Sequence, residues 1–216
     1  MPKVWVRNIA VSTDGYVAGP NHSLENPLGE GGPALHEWVL ETRTGRQMFG
    51  QDGGDEGLDN EFVARGDHDI GATIMGRNMF GPIRGPWTND EWKGWWGCEP
   101  PYHHPVFVLT HHPCPPIVME GGTTFHFVEN GIEAALEQAI DAAKGSDVRI
   151  GGGASTIQQY LRARLIDDMH IAIVPIFLGG GERLFDHLDG GPDGYECVEF
   201  VSSPSVAHIR FSRTEK

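Results

Sequence analysis

Cysteine is scarce. The 216-residue chain has three, Cys98, Cys114 and Cys197. They form no C-x-x-C unit and leave one over if two pair, which excludes a disulfide scaffold and a thiol zinc site. No run approaches the roughly 20 apolar residues a membrane helix needs. Nor is there an apolar signal segment near Met1, where Arg7 and Asn8 interrupt the run, so the expectation is a cytoplasmic protein with no membrane partner. Basic charge is short as well: 16 Lys and Arg stand against 30 Asp and Glu, a formal charge of −14, with no basic stripe to reverse it locally. A surface of that sign repels phosphodiester backbones, so nucleic acid is not the expected partner.

Glycine and proline are plentiful, at 30 and 15, and predict long structured loops between regular elements. Apolar and β-branched runs predict strands at Lys3–Val11, Ala72–Met75, Pro105–Leu109, Gly122–Val128, Asp147–Ile150 and Met169–Phe177. Helical spacing predicts helices over Ala34–Thr42, Leu58–Arg65, Ile132–Ala143 and Ser155–Arg164. Glu196–Val201 and Val206–Ser212 read as a closing antiparallel pair. Strands alternating with helices imply an α/β fold: a mixed, mostly parallel sheet of about eight strands, helices on both faces, and an antiparallel C-terminal edge. One domain spans 1–216, with an inserted region at 19–66 and a tryptophan-rich insertion at 81–104. The latter carries Trp87, Trp92, Trp95 and Trp96, which read equally as a substrate wall, a dimer contact or a satellite core.

Three strand ends carry chemistry. Ile150-Gly151-Gly152-Gly153-Ala154-Ser155-Thr156 runs from strand through glycines into a helix. Glycine admits a close backbone approach, and a helix start offers unpaired N–H groups to an anion such as a pyrophosphate. A tight turn needing positive φ explains the same glycines. The stretch is neither a G-x-G-x-x-G fingerprint nor a P-loop. Met75-Gly76-Arg77-Asn78 repeats the arrangement with an arginine, whose fork suits phosphate oxygens. Thr110-His111-His112 closes a third strand and reads as a phosphate contact or a solvated strand end. A metal site shared by His103-His104 and His111-His112 is excluded, because the strand between them separates them by about 23 Å.

Five segments in order, Ser12 to Ala18, Met75 to Arg77, Leu109-Thr110, Ile150 to Gly153 and Val174 to Gly181, resemble the dihydrofolate reductase superfamily. The branch they are most similar to is the reductase domain of the bifunctional riboflavin-biosynthesis deaminase-reductase. The resemblance implies an NADPH-dependent reductase acting on the C=N bond of a pterin- or pyrimidine-like heteroaromatic small molecule; an NADPH-binding protein without turnover is the alternative. It maps Gly76, Arg77 and Asn78, and Gly151 to Thr156 (Gly151, Gly152, Gly153, Ala154, Ser155, Thr156), onto the cofactor phosphates. Thr110 and His111 fall at the adenosine ribose phosphate, and the Ile9-Ala10 backbone at the nicotinamide carboxamide. Asp14 to Ala18, with Gly15 and Tyr16, correspond to a mobile loop over the nicotinamide. The resemblance also implies a cis Gly151–Gly152 peptide and, with the apolar strands near Val198 to Val206, a homodimer. The folate enzymes' acidic residue has its rough counterpart in Glu37, the first candidate proton donor, which Leu35, Trp38 and Val39 would wall; Asp14 is the second.

Overall fold

The computed structural model describes residues 2–82, 85–87, 92–188 and 194–214; positions 83–84 and 88–91 of the tryptophan-rich insertion lie outside them. The strands are β1 (Val4–Ser12), β2 (Tyr16–Ala18), β3 (Ile70–Gly76), β4 (Pro105–Leu109), β5 (Ile117–Val118), β6 (Thr124–Val128), β7 (Asp147–Gly152), β8 (Asp168–Val174), β9 (Glu182–Arg183), β10 (Tyr195–Ser202) and β11 (Ala207–Arg213). The helices are α1 (Glu37–Glu41), α2 (Arg43–Met48), α3 (Leu58–Asp67), α4 (Arg77–Phe80), α5 (Gly131–Ala143) and α6 (Ala154–Arg162), with a 3₁₀ turn at Gly32–His36.

Nine strands form one sheet in the order β10-β11-β8-β1-β7-β3-β4-β6-β5. The middle is parallel, and β10–β11, β11–β8 and β5–β6 are antiparallel. Eight of these strands are the eight expected. The ninth, β5, is two residues beside a proline pair, too short to carry a period of its own. It makes the second edge antiparallel too. The pair β2–β9 forms a separate ribbon.

Strand β1 sits at the centre and is not regular. Its pairing with β8 shifts between Val6 and Ile9, so one extra residue is accommodated at Arg7-Asn8, where Asn8 takes φ 58°. Side chains alternate faces along a strand, and one inserted residue inverts the phase. Val4 and Val6 before the bulge, and Ile9 and Val11 after it, therefore point into the same core, packed under α5 and α6 with Ile150, Ile157 and Tyr160. Ala10 passes to the opposite face. There it meets Leu35, Trp38 and Val63 from the 3₁₀ turn, α1 and α3, with Ala172 and Val174 of β8.

A third cluster answers the question left by the tryptophans. Trp87, Trp92 and Trp96 pack on Met75, Phe80, Tyr102 and Phe125. Their polar ends are satisfied by backbone: the Trp92 and Trp95 indole N–H groups donate to the Phe80 and Met79 carbonyls at 3.1 and 3.0 Å. Among the described residues the insertion is a satellite core.

One buried polar chain crosses the Ala10 face. His170 of β8 and His208 of β11 are 5% and 0% exposed. Burial, reinforced by His208, Arg65 and Arg210, pushes the His170 imidazole down to about 3. A histidine with a depressed pKa binds its proton more readily unfolded than folded. Its stabilising contribution is thus full above the unfolded value and is lost as pH falls toward the folded one. Denaturant unfolding should show a wild-type loss of about 3 kcal/mol between about pH 6.5 and pH 4 from this group. His170→Gln should lower stability at neutral pH but flatten the slope; an equally steep slope in the variant would refute the assignment.

Candidate functional site

Parallel strands deliver their C-terminal ends to one sheet edge, and ligands bind at that edge in open α/β sheets. A cleft of about 650 Å³ lies there. Its floor is the edge itself: Asn8, Ile9 and Ala10 of β1, Gly76 of β3, Leu109 of β4 and Gly151-Gly152 of β7. No helix of the described chain is long and apolar enough to cross a membrane.

The two glycine-led turns abut. Strands β3 and β7 are neighbours, with Met75 opposite Gly152. A Cβ on Gly76 would stand 2.5 Å from the Thr156 hydroxyl, so no side chain fits where β3 passes the start of α6. Gly152 has φ 133°, a conformation that side chains disfavour. The cis peptide falls between Gly152 and Gly153, one residue later than the expected Gly151–Gly152, because β7 extends through Gly152 before the chain turns. At the start of α6, Gly153 is the N-cap and supplies no side-chain cap.

Arg77 opens α4 beside this turn. Its guanidinium lies 3.9 Å over the Trp87 ring, and the Trp87 indole N–H donates to the His112 carbonyl at 2.9 Å. One tryptophan thus braces the arginine against the Thr110-His111-His112 corner. Thr110 closes the corner itself, its hydroxyl accepting the His112 N–H at 3.1 Å.

The opposite wall comes from the segment between β2 and α1. Val17, Ala18, Pro27 and Leu28 supply apolar surface, and His22 and His36 two imidazoles. Burial lowers the His36 imidazole from its usual range. The His22 Nε2 is buried with no hydrogen-bond partner among the described residues.

Of the residues singled out in the sequence, Ile9, Ala10, Gly76, Arg77, Asn78, Thr110, His111 and Gly151 to Thr156 line this one cleft. Four do not: Gly15, Tyr16, Asp14 and Glu37. Tyr16 pairs with Arg183 across the β2–β9 ribbon, under that residue's guanidinium, so this stretch is strand rather than an unpaired loop. Glu37 is exposed; the helix turn that buries Leu35 and Trp38 carries it outward, and His36 lines the cleft instead. Asp14 accepts the Ser12 hydroxyl at 2.6 Å and the Leu178 and Gly179 N–H groups at 3.1 and 2.7 Å. Those donors, the Ser12 hydroxyl foremost, hold its carboxyl down at about 2. It is an ionised anchor between two loops, not a proton donor. Sequence reasoning missed His22, His36 and Asn8, which sit in no motif. The positive-φ tolerance of asparagine was the one available hint of the bulge.

Comparison with known proteins agrees with this fold. The model of the RibD C-terminal domain matches residues 2–194. An uncharacterised Bacillus subtilis (strain 168) protein, YwjB, is 32% identical over 62 residues, 29% of this chain. The match spans only 35% of that relative's length. Among solved structures, a Shewanella sp. PV-4 protein assigned to riboflavin biosynthesis superposes with a TM-score of 0.63 at 24% identity, covering 100% of both chains. Dihydrofolate reductase from Enterococcus faecalis, complexed with NADP(H) and RAB-propyl, superposes with a TM-score of 0.53 at 15% identity, over 99% of this chain and 97% of its own. These two likenesses establish a dihydrofolate-reductase-like fold. The match over residues 2–194 makes the chain a member of the RibD C-terminal domain family.

Proposed function

We propose that this protein is an NADPH-dependent reductase of a small heteroaromatic molecule. The observation that carries the reading is the abutment of the two glycine turns, with Arg77 beside them, at one end of a cleft whose other end is apolar. The residues fit the cofactor: a side chain on Gly76 would fill the cradle, and the volume suits a ligand of dinucleotide size. Gly76, Gly152, Gly153 and the start of α6 would hold the pyrophosphate. Arg77, Thr110 and His111 would hold the ribose 2′-phosphate, and the Ile9-Ala10 backbone the carboxamide. When bound, NADPH supplies a hydride to the carbon of a C=N bond, leaving the nitrogen in need of a proton. Val17, Leu28 and Pro27 exclude water from that end. His36, which lines the cleft, delivers a proton to the substrate nitrogen when its imidazole is in the protonated form and returns to the neutral ring, in place of the carboxylate expected at Glu37.

Arg77 generates the first expectation. NADPH should bind tighter than NADH, and Arg77→Ala should lose roughly tenfold to a hundredfold in NADPH affinity by fluorescence titration. Trp87→Ala should reproduce part of that loss, since it removes the brace. Equal wild-type affinities for the two cofactors would defeat the placement of the 2′-phosphate.

The proton donor is tested by single-turnover oxidation of NADPH with a pteridine panel. With the His36 pKa lowered by burial, the chemical step should accelerate as pH falls below the usual histidine range of about 6.5. His36→Gln should lose that limb and slow the step ~10²–10⁴-fold, while Glu37→Gln stays at the wild-type rate. Among the described residues the carboxylates of the cleft lining, Glu129 and Glu182, are both exposed, which also favours the second reading, an NADPH-binding sensor or assembly partner without turnover. Tight NADPH binding with no oxidation across the panel would select it.

The homodimer is also ours to propose. Strand β10 is a sheet edge on which Val198 and Phe200 are 43% and 67% exposed, and a second copy would cover them. Sedimentation at micromolar concentration should give twice the 23.7 kDa chain mass; the monomer mass would exclude it.

A further inference from the structure

The buried polar chain meets the cleft at the β1 bulge. Nδ1 of His170 faces two groups of Asn8: the backbone N–H at 3.2 Å and the side-chain Oδ1 at 3.0 Å. Nε2 of His170 faces Nδ1 of His208 at 3.0 Å, and Nε2 of His208 faces Oδ1 of Asp59 at 2.9 Å. The Ser203 hydroxyl donates to the other Asp59 oxygen at 3.0 Å. Phe62 stacks on both imidazoles, at 4.6 and 4.0 Å between ring centroids. Asn8 lines the cleft, whereas the Asp59 side chain, 18% exposed, sits two rings away in the first turn of α3.

One polarity needs no added proton and sets only one pair of acceptors face to face, the bare His170 Nδ1 and Asn8 Oδ1. Asp59 is an acceptor, so His208 donates to it from Nε2 and presents a bare Nδ1. His170 then donates from Nε2 and presents a bare Nδ1 in turn. That nitrogen accepts the Asn8 N–H. The reverse polarity would have Nδ1–H of His170 donate to Asn8 Oδ1, but would set the His208 lone pair against the Asp59 carboxylate. A second proton on His208 would relieve that, but burial with the Arg65 charge resists it against Asp59 and Glu199. The neutral polarity therefore holds the N–H of the one residue that the β1–β8 register leaves over.

We infer that the Asp59–His208–His170 chain is a positioning device for the cleft: by gripping the Asn8 N–H it fixes the bulge that turns Ile9 and Ala10 toward the ligand. His170, His208 and Asp59 are positioning residues, since none of them lines the main cleft. The inference rests on the reading of that cleft as the NADPH site. Asn8 also donates from its side chain to the Val63 carbonyl at 3.4 Å, so α3, which carries Asp59, holds the bulge from both sides.

Two N–H···N hydrogen bonds are the signature to look for, because they carry scalar couplings between nitrogens. In ¹⁵N-labelled protein with NADPH bound, couplings are expected from the Asn8 amide to His170 Nδ1 and from His170 Nε2 to His208 Nδ1. Both rings should titrate as the Nε2–H tautomer. Asp59→Ala removes the terminal acceptor, and should weaken the Asn8 coupling and lower NADPH affinity by about tenfold at a temperature where it is fully folded. Asp59→Asn keeps an acceptor oxygen and should restore affinity to near the wild-type value. Wild-type protein that binds NADPH without the couplings overturns the inference, as does a folded Asp59→Ala variant with wild-type affinity. The coupling measurement needs no variant, so an unfolded Asp59→Ala leaves the test in place. Wild-type protein that does not bind NADPH overturns the reading of the cleft instead.

Discussion

A single extra residue in the central strand governs how the rest of the chain is distributed. Strand β1 pairs with both β7 and β8, and it feeds a core on each face. Without the bulge at Arg7-Asn8, a continuous period of two would place Ile9 and Val11 opposite to Val4 and Val6. The β1 contribution to the core under α5 and α6 would then be halved, and Ala10 would leave the close contact that Leu35 and Trp38 need. The bulge is also where the strand enters the cleft. Packing and site geometry thus share one constraint, which explains why a left-handed asparagine is kept in the middle of a sheet.

The second constraint is steric. Adjacent parallel strands stand about 4.8 Å apart, and each here ends in a turn into a helix. Two such turns fit side by side here because Gly76 has no side chain to meet the Thr156 hydroxyl and Gly152 takes a φ of 133° that side chains disfavour. What results is a concave edge at which Arg77 lies against the face of Trp87. The indole face attracts the guanidinium by about 1 kcal/mol. Electrostatics and sterics point to the same occupant class, an extended polyanion.

Most of the fold was legible because it repeats simple periods: Pro105–Leu109 is one buried run, and Ala135, Leu136 and Ala139 recur at helical spacing in α5. The glycine turns were legible for the reason just given. The polar half of the site was not. Leu35, Trp38 and Val39 neighbour Glu37 in sequence, but consecutive helical residues point about 100° apart, so apolar neighbours in the chain form no wall in space. His22 reaches the cleft from a loop folded through Gly19 and Gly29 onto its own backbone, a shape no local pattern encodes. Nor does Val4-Trp5-Val6-Arg7-Asn8-Ile9-Ala10-Val11 announce a bulge, since apolar residues at both phases read as a strand buried on both faces. The partnership of His170, His208 and Asp59 joins residues up to 149 positions apart.

Asp14 shows how a carboxylate close to the cleft can serve as an anchor rather than an acid. A carboxylate that accepts a hydroxyl and two backbone N–H groups is stabilised in its charged form, and gives up proton donation for anchorage. Its three donors tie the end of β1 to the glycine-rich stretch after β8, which sets where β2 leaves the sheet and hence where Val17 and Ala18 meet the cleft. Asp14 lies outside the cleft lining, whose described carboxylates are Glu129 and Glu182, alongside Arg7 and Arg77. Among the described residues the lining of a chain of formal charge −14 thus holds as many arginines as carboxylates. A further carboxylate beside the ligand would restore the repulsion that this balance removes, whereas a neutral imidazole such as His36 offers a donor and an acceptor without it.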